Sequence, residues 1–398
     1  MLIYEYKLRA NQAQQNAIDE AIRTVQFIRN KAIRLWMDGR GVGQYDMQAL
    51  CAHLAQEYPF AARLNSMARQ ASADRAWQSV ARFYKNCRDK KPGKKGYPKF
   101  QKDNRSVEFK TSGWKLEPDG KRITFTDGHG IGTVRLIGTR SIATFPLQQI
   151  KRIRLVKRAD GSYVQFAVQA ERQITHVPTG TQVGIDVGLK AYYTDSTSAS
   201  VQNPRYLRKA EKRLKRLHRR KDRKPKGSQN RKKAIKRLAK GYLKVQRQRK
   251  DFAAKAASAL VSSSDLIAFE DLKIAHLVKN HHLAKSISDA GWYGFLCWVR
   301  YYGRLHGIPV VAVSPRFTTQ ECSGCGKRVK KTLSMRTHVC PGCGLVLDRD
   351  HNAALNILDL ARRTAGQAET GSGTPERNAS GQQTSSERKR LRPVKSAG

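Results

Sequence analysis

Residues 322–356 read CSGCGKRVKKTLSMRTHVCPGCGLVLDRDHNAALN, and two kinds of chemistry stand almost back to back in this stretch. The first is a pair of C-x-x-C motifs whose spacing suits one tetrahedral zinc ion, formed by Cys322, Cys325, Cys340 and Cys343. Asp348 and Asp350 follow within a few residues, directly before a run with a helical pattern. The stretch therefore predicts a metal-built module that ends where an acidic pair begins.

The composition points to a polyanionic partner. The chain has 398 residues, which predicts two or three domains, and 39% of them are hydrophobic, enough to form real cores. It carries 77 Lys and Arg against 31 Asp and Glu, a formal net charge of +46. Because each neutralised phosphate releases counterions, nucleic acid is the direct interpretation of this excess. A surface that only solubilises the protein or adheres to ribosomes is the alternative.

The cysteines and the apolar runs bear on the cellular compartment. Cys51, Cys87 and Cys297 lie outside the two motifs in helix-like surroundings, and we expect them to be buried thiols. This usage is typical of a reducing compartment with zinc, and not of a disulfide framework. No apolar run approaches the roughly 18 residues of a membrane span, and MLIYEYKLR at the start lacks the apolar region of a signal peptide. We therefore expect an intracellular protein.

The N-terminal half changes pattern twice. LIYEYKL alternates like a strand, and apolar residues at three- and four-residue steps then predict helices from Asn11 to about residue 38, over 47–58 and over about 65–87. The segment KPGKKGYPKFQ at 91–101 suits a loop lying on phosphates, or a simple basic linker. Residues 106–176 alternate like short strands between turns, which predicts a small β-barrel.

The C-terminal half begins at about residue 179 with VGIDVG and AYYTDS, which predict two strands joined by a turn. The strands DLIAFEDLK and IPVVAVSP follow later, and AALNILDLARR predicts a closing amphipathic helix. Between them, residues 205–250 hold 23 Lys and Arg but only two acids, with apolar residues at helical spacing on both sides of Pro225 and Gly227. This pattern predicts a helical hairpin with a cationic outer face, which either contacts a polyanion or is simply solvated.

Three carboxylates in this half share a setting. Asp186 lies within a strand flanked by glycines, Glu270 closes another buried strand, and Asp350 precedes the last helix. Carboxylates among apolar neighbours are costly to bury unless they are paired or metal-bound. Together they would hold two Mg²⁺ or Mn²⁺ ions about 3.5–4 Å apart for phosphodiester hydrolysis. Alternatively, any one could be a cap or an ion-pair partner, and Asp350 could N-cap the last helix. Between Asp348 and Asp350, we prefer Asp350 because it is nearer the helix start.

The motifs GIDVGLK, AFEDLK, ISDAGW, the two cysteine pairs and DRDHNAALNI occur in this order. In this order, and in GYPKF, the chain resembles the TnpB family of OrfB-type insertion-sequence proteins, and it is similar to type V CRISPR effectors. The resemblance covers nearly the whole chain and implies a multidomain α+β protein. Its parts would be a helical recognition lobe (11–95), a wedge β-barrel (1–10 and 96–178), an RNase H-like RuvC nuclease domain (179–320 and 345–363), a zinc-ribbon-like, target-binding insertion (321–344) and a disordered tail (364–398).

The resemblance also implies an activity, RNA-guided cleavage of DNA. A guide RNA from the transposon end would direct the cut in double-stranded DNA beside a short flanking motif. Asp186, Glu270 and Asp350 would be the catalytic, magnesium-binding acids, and the four cysteines the zinc ligands. Further nucleic-acid contacts are predicted at Gln70, Tyr97, Lys99, Arg216, Arg220, Lys232 and Lys233. A cytoplasmic, nucleoid-associated protein would follow, acting as a monomer with one RNA and with no membrane or small-molecule substrate.

Two other functions compete with this one. A transposase proper would use the same acids for strand transfer, would recognise the element ends through protein, and would need no RNA. A non-catalytic zinc-containing regulator would bind nucleic acid even after loss of Asp186. The complete acidic triad argues against a regulator that has lost nuclease activity.

Overall fold

The computed structural model describes residues 1–332 and 335–368, with side chains as far as Thr364. It divides into two compact units, Met1–Thr175 with Arg205–Lys255, and His176–Pro204 with the described residues from Ala256 onward. None of the described helices combines the length and apolar character that crossing a membrane requires. The predicted disordered tail begins at 364, but helix continues to Ala368, and residues 369–398 lie outside the described residues.

The first unit combines helices with a seven-stranded sheet. Its helices are α1 (Gln12–Asp38), α2 (Gln44–Glu57), α3 (Pro59–Ala62), α4 (Ser66–Arg88), α5 (Tyr206–Asp222) and most of α6 (Gln229–Ser262). Its strands are β1 (Leu2–Arg9), β2 (Ser106–Phe109), β3 (Trp114–Leu116), β4 (Arg122–Phe125), β5 (Gly132–Ile137), β6 (Ile150–Arg158) and β7 (Gly161–Val168). The mixed α+β class and the three N-terminal helices are as predicted.

Local chemistry explains where the long N-terminal helix begins. The Asn11 side chain accepts a hydrogen bond of 2.8 Å from the Gln14 backbone, and the Gln14 side chain accepts one of 3.0 Å from the Asn11 backbone. This reciprocal capping satisfies two N–H groups that the first turn leaves unpaired. The apolar face of α1, which includes Ile18, Ile22 and Val25, is buried in the main core of the unit.

The sheet of the first unit is open, so the predicted closed β-barrel is wrong. Its strand order is β2-β6-β7-β1-β5-β4-β3, with each described pair antiparallel and no pairing recorded between the edge strands β2 and β3 within the described residues. Both α1 and α4 contact β2. Helices that pack against an edge strand reduce its exposure to a further strand partner, so β2 is protected without closure of the sheet.

The predicted cationic hairpin is present as α5 and α6. Leu214, Leu238 and Val245 form its thin buried seam. Arg247 on α6 donates hydrogen bonds to Asp160 at 2.8 Å and to the Tyr163 hydroxyl at 2.6 Å, both on the β6–β7 hairpin. These contacts place the helices with the first unit, whereas the predicted nuclease range 179–320 includes them.

The second unit is built on a five-stranded sheet with the order β10-β9-β8-β11-β12. Its strands are β8 (Gln182–Val187), β9 (Ala191–Asp195), β10 (Ser200–Gln202), β11 (Leu266–Glu270) and β12 (Val310–Val313). β8, β11 and β12 run parallel, whereas β9 is antiparallel to β8 and β10 to β9. A small ribbon of β13 (Thr337–Val339) and β14 (Val346–Asp348) follows, and the helices are α7 (Ile274–Leu277), α8 (His281–Ala290), α9 (Trp292–His306) and α10 (Arg349–Ala368).

Close packing of α10 on β8 depends on a glycine. A Cβ atom at Gly184 would lie 2.2 Å from the Ala354 carbonyl oxygen and 2.7 Å from the Leu358 backbone nitrogen. Non-bonded heavy atoms attract most strongly at separations of about 3.5 Å, so a Cβ atom here would clash with the helix backbone. Only glycine permits this approach. The helix backbone therefore rests directly on the strand.

The cysteines outside the paired motifs differ from expectation in part. Cys51 is buried, as predicted, but Cys87 and Cys297 are exposed. Both lie on helices whose buried faces are supplied by other residues, such as Val80 on α4 and Val299 on α9. Helical surroundings alone therefore did not determine which face these two residues occupy.

Candidate functional site

Asp186 and Glu270 lie at the same ends of two adjacent parallel strands. Ile185 of β8 pairs with Phe269 of β11, so the next residue of each strand carries a carboxylate. Neighbouring strands are about 4.8 Å apart, and residues in register point to the same face. Both acids are half-buried. The buried Thr318 hydroxyl donates a short hydrogen bond to the Glu270 carboxylate, so the fold brings the two acids together and orients one of them.

Asp350 reaches this region from the first turn of α10. A Cβ atom at Gly188, two residues after Asp186, would lie 3.9 Å from an Asp350 carboxylate oxygen. Asp350 is paired with Arg349 at 3.0 Å and with Arg336 at 3.6 Å. Its carboxylate therefore stands against the end of β8.

The helix cap is supplied by Asp348, and not by Asp350. The Asp348 carboxylate accepts hydrogen bonds from the backbone N–H groups of Asp350 at 2.8 Å and His351 at 3.3 Å. Such a cap satisfies donors that the first turn leaves unpaired. The two acids thus have separate surroundings, and Asp350 is the one left facing the other carboxylates.

The three acids interact electrostatically. Burial raises the pKa of Asp186 well above its usual range, and the negative charges of Glu270 and Asp350 raise it further. Burial also raises the pKa of Glu270, against the opposing effect of the Thr318 hydrogen bond. Clustered carboxylates of this kind are stabilised by a cation, and oxygen donors suit hard ions such as Mg²⁺.

The four cysteines form a tighter group than the carboxylates. Their sulfur atoms all lie within 4.8 Å of one another, and among the described residues they are the set of possible metal ligands that meets this limit. Cys322 and Cys343 are 3.6 Å apart, and Cys325 and Cys340 are 3.5 Å apart. Four sulfurs about 2.3 Å from a tetrahedral zinc would be about 3.8 Å apart, so the cluster could form the predicted zinc site.

The backbone around the cluster favours a thiolate. Hydrogen bonds from the backbone N–H groups of Cys343 and Gly342 lower the pKa of the Cys340 thiol to about 6. The Gly342 N–H lies 3.4 Å from the sulfur. Because zinc binds thiolates, this preparation of one ligand fits a metal-binding role.

Two asparagines on α10, which the sequence analysis missed, connect the acids to the cysteine cluster. The fully buried Asn352 accepts a hydrogen bond of 3.0 Å from the Ser323 backbone and donates one of 2.8 Å to the Glu321 carbonyl. Asn356, one turn later, donates to the carbonyls of Thr318 at 2.8 Å and Glu321 at 2.7 Å. The sequence signal was their four-residue spacing on the apolar face of an amphipathic helix.

The predicted nucleic-acid contacts are all exposed and all lie in the first unit. Gln70 is on α4, Tyr97 and Lys99 are in the loop between α4 and β2, and the four basic residues are on the hairpin: Arg216 and Arg220 on α5, and Lys232 and Lys233 on α6. Tyr97 also packs against the rings of Trp36 and Phe83. Their roles in nucleic-acid binding stay predictions.

Two segments of the chain match known families. Residues 165–281 match the OrfB_IS605 family, described as "Probable transposase", and residues 292–357 match the "Cas12f1-like, TNB domain". The first segment contains Asp186 and Glu270, and the second contains the four cysteines and Asp350. The predicted resemblance to OrfB-type proteins is thereby confirmed.

Individual relatives agree with these family matches. A Streptomyces pristinaespiralis protein named "Putative RNA-guided DNA endonuclease" is 38% identical over 191 residues, covering 47% of this chain and 47% of that protein. "Putative RNA-guided DNA endonuclease InsQ" of Escherichia coli (strain K12) is 26% identical over 298 residues, covering 71% and 72%. The aligned part therefore spans about half the length of the first relative.

A solved structure shares the fold. The chain in "Cryo-EM structure of the Cas12f1-sgRNA-target DNA complex" superposes with a TM-score of 0.54 at 16% identity, covering 87% of this chain and 83% of that one. At this identity the likeness concerns the arrangement of the backbone alone.

Proposed function

We infer that this chain, an OrfB_IS605-type protein over residues 165–281, is an RNA-guided DNA endonuclease that hydrolyses phosphodiester bonds. The observation that carries the proposal is the meeting of Asp186, Glu270 and Asp350 at one end of the five-stranded sheet. The names of the Streptomyces and Escherichia relatives support the same activity. With DNA as its target, we expect the protein to act at the nucleoid.

The strand order supports an RNase H-like, RuvC-type nuclease domain. Three strands form an antiparallel meander, β8 to β10, and two further strands, β11 and β12, run parallel to the first. In this arrangement Asp186 comes from the central strand β8 and Glu270 from its neighbour β11, and Asp350 comes from a helix packed on both. The insertion at 321–344 is the proposed target-binding part, and the N-terminal unit holds the proposed recognition lobe and wedge.

Asp186, Glu270 and Asp350 are the residues that would hold Mg²⁺ or Mn²⁺. When bound, such ions supply charge stabilisation at the phosphate and a more acidic water. Thr318 holds Glu270 in one orientation through its hydroxyl. Arg349 and Arg336 hold Asp350 and neutralise part of its charge. The three carboxylates would therefore offer such ions oxygen ligands, two of which are held in place by neighbouring side chains.

The basic surfaces of the first unit bind nucleic acid through its phosphate backbone. Base pairing between guide RNA and target would select the sequence, while protein cations hold the backbone. The exposed lysines and arginines of α5 and α6 suit this role, since they act on charge and not on base identity. One guide RNA per chain and a flanking motif read by the first unit complete the proposal.

One experiment separates this function from its competitors. RNA that co-purifies with the full chain is sequenced, and the complex is given a plasmid with the matching target beside randomised flanks, with Asp186→Ala as the control. Cleavage that needs both the RNA and Asp186 is the expected result. Cutting at the element ends without RNA would indicate a transposase, and target binding without cleavage by either protein would indicate a regulator.

A further inference from the structure

A groove on the first unit, with a volume of about 510 Å³, carries basic and aromatic groups side by side. α1 supplies most of its lining, and the loop between α4 and β2 supplies Phe100. The described residues that line it include three cations and no carboxylate. They are Arg23, Gln26, Phe27, Asn30, Lys31, Arg34 and Phe100. The helix positions recur at three- and four-residue steps and so lie on one face of α1. We call this site the α1 groove.

The Phe100 wall of the α1 groove is held in place by neighbouring amides. Asn30 donates to the Gln101 carbonyl at 3.0 Å and accepts from the Gln101 N–H at 2.7 Å. Gln26 accepts from the Asn104 N–H at 2.9 Å. The loop is therefore fixed directly after an aromatic ring that stays 40% exposed. Gln26 and Asn30 use their side chains to build the groove, which leaves the rings and the cations for a ligand.

Cations and rings alternate along the α1 groove. The Arg34 guanidinium lies 5.0 Å from the centroid of the Phe100 ring. The Lys31 ammonium lies 5.6 Å from that of Phe27 and 5.5 Å from that of Tyr58. Arg34 also contacts Asp38 at 3.5 Å, but both side chains are exposed, and such a pair is weak. A nucleotide presents a flat base and a negatively charged phosphate close together. An aromatic ring that stacks on the base and a neighbouring cation that pairs with the phosphate would bind both groups.

We propose that the α1 groove binds an unpaired nucleotide of RNA or DNA, with the base on Phe100 and its phosphate near Lys31 and Arg34. The volume falls within the range of about 300–1,000 Å³ that is typical of ligand pockets, which suits one or two nucleotides. The inference rests on the proposed function only for the source of the nucleotide, a guide RNA or a displaced DNA strand.

Binding of short labelled oligonucleotides tests the proposal. Fluorescence anisotropy is measured on the full chain, stripped of nucleic acid by high salt, with oligouridine, oligothymidine and a DNA duplex. Phe100→Ala should weaken single-strand binding about tenfold, within the range for loss of base stacking, and leave duplex binding unchanged. Phe100→Tyr keeps the ring and should restore affinity. Tyr45→Ala removes an aromatic residue that is 85% exposed on α2, outside the groove, and should have no effect.

Salt dependence tests the phosphate contacts separately. Arg34→Gln should reduce the slope of log affinity against log salt for single strands by about 0.7, the value for one lost phosphate contact. Arg40→Gln, the same change just beyond the end of α1, should leave the slope as it is. An unchanged slope for Arg34→Gln would overturn the placement of the phosphate.

The remaining outcomes distinguish the source of the ligand and the two proposals. Stronger Phe100-dependent binding of oligouridine or of oligothymidine identifies RNA or DNA, and either supports the groove. Equal single-strand affinity of Phe100→Ala and wild type overturns the proposal. Binding of a polyglutamate peptide that depends on Phe100 also overturns it and would indicate an acidic protein partner. Cleavage assays run in parallel separate the failures. If the wild-type complex cleaves DNA but oligonucleotide binding does not depend on Phe100, only the groove proposal is overturned. If binding depends on Phe100 but the complex does not cleave, only the proposed nuclease function is overturned.

Discussion

Replacing Gly184 with alanine should separate helix α10 from strand β8. The new Cβ would lie 2.2 Å from the Ala354 oxygen, 2.7 Å from the Leu358 nitrogen and 3.0 Å from the Leu358 Cβ. Two of the three neighbours are backbone atoms, so no side-chain rotation relieves the clash. To lengthen the 2.2 Å contact to an ordinary separation of about 3.5 Å, the helix must move away from the strand by about 1 Å.

That displacement has two measurable costs. Overpacking of a core typically removes about 1–3 kcal/mol from the free energy of unfolding. Asp350 sits on the first turn of the same helix, so it moves away from Asp186. A misplacement of about 1 Å in a catalytic group can cost about 100-fold in rate. We therefore expect Gly184→Ala to lower the thermal midpoint and to reduce target cleavage by about two orders of magnitude.

A matched glycine provides the control. Among the described residues, no atom outside the chain neighbours and the helix's own backbone lies within 4 Å of the position that a Cβ of Gly294 on α9 would take. Gly294→Ala should therefore be neutral or slightly stabilising. Hydrogen exchange should show faster exchange along α10 in Gly184→Ala and unchanged exchange in Gly294→Ala. Wild-type exchange in α10 together with wild-type cleavage by Gly184→Ala would refute the reasoning.

Three further changes test other parts of the chain. Thr318→Val removes the hydrogen bond that lowers the pKa of Glu270, so the pKa should rise and the acid limb of the cleavage rate should move to higher pH, while Thr318→Ser should keep the wild-type profile. Asn352→Ala leaves the Ser323 N–H without its acceptor, which should cost about 1–3 kcal/mol and speed zinc release to a chelator; equal release rates would contradict this. Burial raises the pKa of Asp127 to about 6, above its ordinary value in the unfolded chain. The folded state therefore binds this proton more tightly, and its contribution to the free energy of unfolding is complete below about pH 4. About 3 kcal/mol of that free energy is lost as the pH rises through 6. Denaturant unfolding between these pH values should show this loss in wild type and a flatter dependence in Asp127→Asn.

The sequence predicted best those features that depend on local pattern. The helical face of α1 and the cysteine pairs are readable because a few residues at fixed spacing determine them. Asp186 and Glu270 were candidates because they lie on apolar strands, and Asp350 because it precedes a helix. The neighbouring positions of Asp186 and Glu270 depend on a strand register that no local pattern records.

The features that the sequence did not predict depend on contacts between distant segments. Thr318 looks like any loop residue until the fold places it beside Glu270. The open sheet was predicted as a barrel because alternation reveals strands but not whether the edge strands pair. Asn352 gave a signal, a polar residue on the apolar face of a helix, but its partners Glu321 and Ser323 lie 31 and 29 residues away in the chain.

The central position of β1 constrains how the chain can fold during its synthesis. The ribosome completes β1 at Arg9, yet its long antiparallel partner β7 ends at Val168, 159 residues later (168 − 9). At about 5–20 residues per second, β1 waits about 10–30 s for that partner. The helices α1 to α4 emerge in the interval, so they can form before the sheet does. β1 stays unpaired until its other partner, β5, is complete at Ile137, and it keeps one open edge until β7 follows. Its charged residues Glu5, Lys7 and Arg9 are the kind that discourage pairing with another chain.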